Sequence, residues 1–360
     1  MIAEQLKARI AQHGPLTLAA FMTEALFDPK AGYYATKDPI GAGSDFITAP
    51  EVSQMFGELI GLWVMQSWHD MGRPDPFYLV ELGPGRGTMM ADMLRTGRAL
   101  PGFTDAARIV LIEASAALKS VQAQSLGPSG AQVSWVDRLE NVPAGPAIIV
   151  GNEFLDCLPV RQAIKHDGVW HERMVGLDEE GAFCFVLGTH LGIDEDLIPP
   201  RLKDLPDGML AELRPGDRLF VHTLSERFKH HPGRALLIDY GPAQSEPGDT
   251  LQAIRAHEKV QPLADPGTAD LTARVDFEML ARFATESGLA AFGPIPQGDF
   301  LAALGLEARA AALSQSSPEK RPQIARQIWR LTDSDQMGAL FKLVCLQSPE
   351  LSDPPVMSAD

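Results

Sequence analysis

The sequence predicts an α/β protein built on a mostly parallel sheet, and three observations carry that expectation. Apolar runs at Phe77–Leu82, Arg108–Ile112, Gln132–Val136 and Ala147–Val150 have the length and composition of buried strands. Helical patterns at Thr88–Arg95 and Ser115–Gln124 alternate with them. A glycine-bearing turn, Gly83-Pro84-Gly85-Arg86-Gly87, joins the first strand to the first of these helices. Strands alternating with helices build a parallel sheet covered on both faces.

The remaining elements follow in chain order. Leu16–Phe27 has apolar residues at helical spacing, and the polar stretch that follows, to Phe46, reads as a loop. A second helix is expected from about Pro50 to Trp68, with Met55, Phe56, Leu59, Ile60 and Trp63 on its apolar face and Pro50 in its first turn. After the sheet pattern, Val169–Val175 and Ala182–Leu187 read as an antiparallel hairpin, and Gly188–Asp217, rich in Pro, Asp and Leu, as an insert. Ala235–Tyr240 is a further buried strand, Val275–Glu286 and Phe300–Leu313 are helical, and Phe341–Gln347 is a last strand. The expected organisation is a helical segment or lid over 1–70, a sheet domain over 71–350 with an insert at about 165–232, and a frayed tail over 351–360.

Composition limits the function. Hydrophobic residues make up 45% of the 360, enough for a sizeable core. A formal charge of −16 argues against a general nucleic-acid binder and against an anionic membrane surface as the main partner. Cys157, Cys184 and Cys345 match neither a zinc-ligand spacing nor a disulfide framework, so no metal site is expected. The stretch MIAEQLKARIAQHGP has no long apolar core and no run approaches membrane-spanning length. These features lead to the expectation of a cytoplasmic protein without membrane insertion.

The glycine turn departs from the dinucleotide fingerprint, whose glycines are spaced differently. Its entry is acidic. A carboxylate at Glu81 would repel a pyrophosphate and suits a ligand carrying cations. S-adenosylmethionine has an ammonium and a sulfonium and no phosphate. Gly83, Pro84, Gly85 and Gly87 would then cradle it, with Glu81 holding the ammonium end directly or through water. Glu113, at the end of the second strand, could accept both ribose hydroxyl protons, a role it would also play for a dinucleotide. Asp137 follows the third strand, where it could meet the adenine amino group or simply cap a helix, with Trp135 or Val136 beside the ring.

The acceptor side is expected beyond the fourth strand, in GNEFLDCLPV. Asn152 could orient an acceptor nitrogen through its carbonyl, and Glu153 and Asp156 could clamp a cationic acceptor such as a guanidinium and take its proton. A polar loop with a helix cap is the plainer reading of the same residues. Asp239 and Tyr240 end another strand on the same rim. His222 and His257 are candidate bases, though a structural role is the plainer reading of each.

Several segments resemble the MidA-type methyltransferases, which include a mitochondrial complex I assembly factor with protein-arginine methyltransferase activity. They are GYY at 32–34, SDFITAPEVSQMFGELIG at 44–61, VELGPGRGTMMADML at 80–94, NEFLDCLPV at 152–160, LLIDYGP at 236–242, GDTLQAIRAHEKVQPLADPGTADLTARVDF at 248–277 and QGDFLAALGL at 297–306. The resemblance implies a class I, Rossmann-like fold with a final antiparallel strand pair. It implies S-adenosylmethionine at Gly83, Gly85 and Gly87 with Glu113 on the ribose. It also implies a protein substrate, an arginine-bearing complex I subunit that becomes symmetrically dimethylated. Glu153 would contact the guanidinium, with Asp156 standing where arginine methyltransferases of other families use a second glutamate. Absence of a basic presequence points to a bacterial protein, and homodimerisation is left open. A small-molecule O- or N-methyltransferase and a non-enzymatic S-adenosylmethionine-binding assembly chaperone are the alternatives, with a dehydrogenase behind both.

Overall fold

The computed structural model describes residues 2–36 and 48–358. The chain divides into two compact units, one made of 1–46, 155–220 and 242–280, the other of 47–154, 221–241 and 281–360. We call them the first and second unit.

The second unit is built on a seven-stranded sheet. Its strands are β1 (Phe77–Leu82), β2 (Ala107–Ile112), β3 (Val133–Val136), β4 (Ala147–Asn152), β5 (Gly233–Tyr240), β6 (Ala290–Pro296) and β7 (Phe341–Gln347). They lie in the order β6-β7-β5-β4-β1-β2-β3. The pairs from β5 through β3 are parallel, whereas β7 is antiparallel to both β5 and β6. The mostly parallel sheet and its closing antiparallel pair are therefore both present. Valine, isoleucine and leucine fill β1, β2 and β4 because both faces of a parallel sheet are covered.

Strand order reverses between β1 and β4. From β1 the chain steps outward to β2 and β3, then returns to place β4 on the other side of β1. Ligands of open α/β sheets bind at such a reversal, beyond the carboxyl ends of the strands. Three helices border it: α1 (Gln54–Asp70), α2 (Thr88–Gly97) and α3 (Ala116–Leu126). Phe56, Leu59, Ile60 and Trp63 of α1 share one buried cluster with Leu79, Ile109, Ile148 and Met93. The helix expected from Pro50 onward is broken at Ser53, whose backbone is extended and whose hydroxyl accepts from Met55 N–H at 3.3 Å, capping α1. The helical run at 300–313 is likewise split, at Gly305, where φ is +92°.

The first unit holds helices Ile2–His13 and Leu18–Phe27 and a five-stranded sheet. The hairpin expected near 169–187 is there, as Val169–Leu177 paired with Phe183–His190. Leu6, Phe21 and Met22 of the two helices pack with Val160, Val175, Ala253 and Leu271. The partition thus differs from the expected one. Residues 1–46 join the unit that also takes up 155–220, whereas 47–70 join the second unit. Helical periodicity reveals an apolar face but not which distant segment covers it. The lid expectation falls partly on 37–47, outside the described residues.

Residues 351–358 are held rather than frayed. Trp63 Nε1 donates to Pro355 O at 3.1 Å, Met357 is buried, and the fully buried Arg234 donates to the Ser352 and Asp353 carbonyls. The cause is the guanidinium of Arg234, which needs acceptors that the sheet alone does not supply. Removing residues after Leu351 is expected to destabilise the second unit by about 3 kcal/mol. Thermal unfolding of the truncated chain would reveal it, and an unchanged midpoint would refute it.

Candidate cofactor and acceptor site

The turn after β1 has the backbone that its glycines were expected to allow. φ is +57° at Gly83, +54° at Gly85 and +78° at Gly87. A Cβ at Gly83 or Gly87 would meet only ordinary contacts, at 3.7 Å and 3.5 Å, so left-handed backbone rather than crowding is what requires glycine there. Gly83 N–H donates to Ile112 O and Gly87 N–H to Pro84 O, so neither is left for a ligand carboxylate.

Glu81 is 3% exposed. One of its oxygens accepts the backbone N–H of Met90 in the first turn of α2, while Oε2 meets no partner among the described residues. Burial pushes its pKa up to about 8, against the opposing bond from Met90. An orphaned buried acceptor is costly unless something brings it a donor.

A second orphan stands across the strand reversal. Asn152, at the end of β4, donates through Nδ2 to Glu153 Oε1 at 3.1 Å. A carboxylate only accepts, so the amide nitrogen must face Glu153 and the carbonyl oxygen the other way. That oxygen, Oδ1, is buried and has no partner among the described residues. Val150 is the β4 residue opposite Glu81. Asn152 lies two residues further on, hence on the same face, about 7 Å along the strand. Glu153 has φ +52°, a left-handed conformation unusual for glutamate, pinned by its N–H donating to Ile238 O at 2.9 Å.

Glu113 follows β2 and is held at both oxygens. Oε1 accepts from Ser115 N–H at 2.8 Å and Oε2 from Gln122 Nε2 at 3.0 Å. Burial raises its pKa, and the bonds from Ser115 and Gln122 oppose that. Gln122 was not singled out from the sequence. The signal was available, because Leu118, Gln122 and Leu126 are spaced four apart on α3 and all three are buried.

The remaining expected residues have the following surroundings. The Asp137 side chain is 67% exposed and pairs with Lys119 at 2.9 Å. Asp156 belongs to the first unit and is buried, its backbone carbonyl accepting from Ala273 N–H. Its charge, behind that of Asp270, contributes to holding the Tyr34 phenol above its ordinary range, with burial as the main cause. Tyr34 Oη donates to Asp270 at 2.9 Å. Asp239, in the second unit, accepts from Tyr240 N–H at 2.9 Å.

A reversed parallel sheet and a glycine turn leading into a helix, with a buried carboxylate at its mouth, are the features of the class I methyltransferase architecture. Comparison with known proteins places the chain within it. Residues 59–295 match a family model described as "Putative S-adenosyl-L-methionine-dependent methyltransferase". The chain belongs to that family, and its cofactor is S-adenosylmethionine. It is 36% identical over 374 residues to the mitochondrial protein arginine methyltransferase NDUFAF7 homolog of Drosophila melanogaster, covering 96% of this chain and 84% of that protein. It is 35% identical over 367 residues to the human mitochondrial protein arginine methyltransferase NDUFAF7, covering 95% and 82%. A Burkholderia thailandensis crystal structure with S-adenosyl-homocysteine bound is 29% identical and superposes with a TM-score of 0.84, over 98% of this chain and 93% of that one.

The expectation of a cytoplasmic, bacterial protein is overturned, because the curated relatives are mitochondrial by name. Net charge and the composition of the first residues do not report the compartment.

Proposed function

We propose that the chain is a protein-arginine N-methyltransferase that forms symmetric dimethylarginine on a subunit of respiratory complex I and so aids its assembly. The observation that carries this reading is the buried Oδ1 of Asn152, without a partner among the described residues, beside the strained Glu153 and on the same sheet face as Glu81. Support comes also from relatives named as protein arginine methyltransferases at about one-third identity, 33% to 36% among those compared. A protein substrate is part of the same reading.

Bound S-adenosylmethionine supplies an electrophilic methyl group on a sulfonium. Glu81 accepts the ligand's ammonium and Glu113 its ribose hydroxyls, while the glycine turn lets the ligand approach the backbone. Asn152 Oδ1 accepts an N–H of the incoming guanidinium and aligns its nitrogen. The Glu153 carboxylate balances the guanidinium charge and takes the proton released on methylation. The acceptor part rests on Asn152 and Glu153, both in the second unit.

The test is transfer of labelled methyl from S-adenosylmethionine to the candidate subunit, free and within an assembly intermediate. Label recovered as symmetric dimethylarginine is the expected result. Label absent from arginine in both preparations, or found only on a metabolite, would sink the reading.

A further inference from the structure

Gln122 is fully buried on α3, under the glycine turn, where a Cβ at Gly87 would sit 3.5 Å from its Cγ. Every polar atom of its amide is used. Nε2 donates to Gly85 O at 2.7 Å and to Glu113 Oε2 at 3.0 Å, and Oε1 accepts from Trp135 Nε1 at 2.8 Å. The amide orientation is not in question, because a carbonyl and a carboxylate only accept and an indole N–H only donates. One side chain therefore ties together the turn after β1, the carboxylate after β2 and the aromatic ring of β3.

Stability alone does not call for this residue. Its neighbours on the same stripe of α3 are Leu118 and Leu126. An apolar side chain of similar length would fill the space without desolvating an amide. Glutamate would fit as well, but it would set a second carboxylate against Glu113 and against the Gly85 carbonyl. Glutamine is the residue type that donates twice on one side and accepts on the other.

We propose that Gln122 is a positioning residue for S-adenosylmethionine, holding the glycine turn, Glu113 and Trp135 in one arrangement that fixes the ribose in the site. The proposal rests on the reading of Glu113 as the ribose ligand. Without Gln122, Glu113 keeps its bond from Ser115 but is free to swing about it, and the Gly85 peptide loses its tether. The same donor also favours the ionised form of Glu113 against burial, so its loss leaves a carboxyl less able to accept two hydroxyl protons.

The experiment is calorimetric titration of the full chain with S-adenosyl-homocysteine and with its 2′-deoxy analogue. The variants are Gln122→Met, Glu113→Gln and the double replacement. Gln122→Met is expected to weaken S-adenosyl-homocysteine by about 10- to 100-fold. It should weaken the 2′-deoxy analogue far less, and should add almost nothing in the Glu113→Gln background. Equal loss for both ligands and both backgrounds would mean that Gln122 only supports the fold, and the proposal would fall. Unchanged binding by Gln122→Met, alongside weakening by Glu113→Gln, would also overturn it while leaving the ribose reading intact. If Glu113→Gln itself binds normally, the ribose reading fails and takes the proposal with it. Should Gln122→Met not fold, Trp135→Phe removes the indole donor while keeping an aromatic ring. It is expected to show the same preference for losing the 2′-hydroxyl ligand, and equal loss for both ligands would again refute the role.

Discussion

Replacing Glu81 by glutamine is expected to stabilise the fold and weaken cofactor binding at once. The unfolded chain releases the Glu81 proton near 4.5, whereas the folded protein keeps it to about 8. The folded pKa is raised, so this group's contribution is most favourable below 4.5 and is lost as pH climbs to about 8. The resulting penalty is about 3 kcal/mol at neutral pH and about 5 kcal/mol above pH 8. Glutamine keeps an acceptor for Met90 N–H and has no proton to lose. Unfolding midpoints of Glu81→Gln should therefore exceed those of the native chain, by more at pH 8.5 than at pH 5.

Binding should move the other way. Below pH 8 the native carboxyl must ionise to meet the ligand's ammonium, so binding releases one proton; above it, the ligand amine, itself titrating at about 8, must take one up. Affinity for S-adenosylmethionine should pass through a maximum near pH 8. Titrations in buffers of different ionisation heat would read the proton count on each limb. Glu81→Gln should lose the acid limb and bind about 10- to 100-fold more weakly at pH 8. A pH-independent affinity in the native chain would show that Glu81 does not meet the ammonium.

Glu153 should separate chemistry from strain. Glu153→Gln keeps an oxygen acceptor for Asn152 but cannot balance a guanidinium charge or hold its proton. Turnover is expected to fall by about 10²- to 10³-fold, with S-adenosylmethionine affinity nearly unchanged. Glu153→Gly should be equally inactive yet more stable by about 1 kcal/mol, because glycine adopts φ +52° without steric cost. Wild-type turnover in Glu153→Gln would remove this residue from the reaction. Lower stability in Glu153→Gly would mean that its side-chain contacts outweigh the backbone strain.

The elements that frame the candidate cofactor site were largely legible in the sequence, because they are local. A strand, a glycine turn, a helix and a carboxylate one strand later follow each other within 77–126, and strand periodicity fixes where each strand ends. Gln122 escaped because a polar residue on a helix reads as solvent-facing until its spacing from Leu118 and Leu126 is weighed. Asn152 and Glu153 were found as polar residues past a strand end. The left-handed backbone of Glu153 is pinned by Ile238, 85 residues later, and the burial of Asn152 Oδ1 likewise appears only in the folded chain. The grouping of 1–46 with 155–220 and 242–280 is a matter of distant apolar faces meeting, which one segment's pattern does not encode.

That grouping has a consequence for how the chain is made. The backbone passes between the two units after residues 46, 154, 220, 241 and 280. Helices Ile2–His13 and Leu18–Phe27 leave the ribosome well before Ala253, Leu271 and Ala273, which complete their core. These helices must wait for about 240 more residues before their apolar faces are fully covered, some 12 to 50 seconds at ordinary elongation rates. Until then the apolar faces of these helices stand incompletely covered on the nascent chain. For the same reason neither unit can be cut out as one continuous fragment and expected to fold.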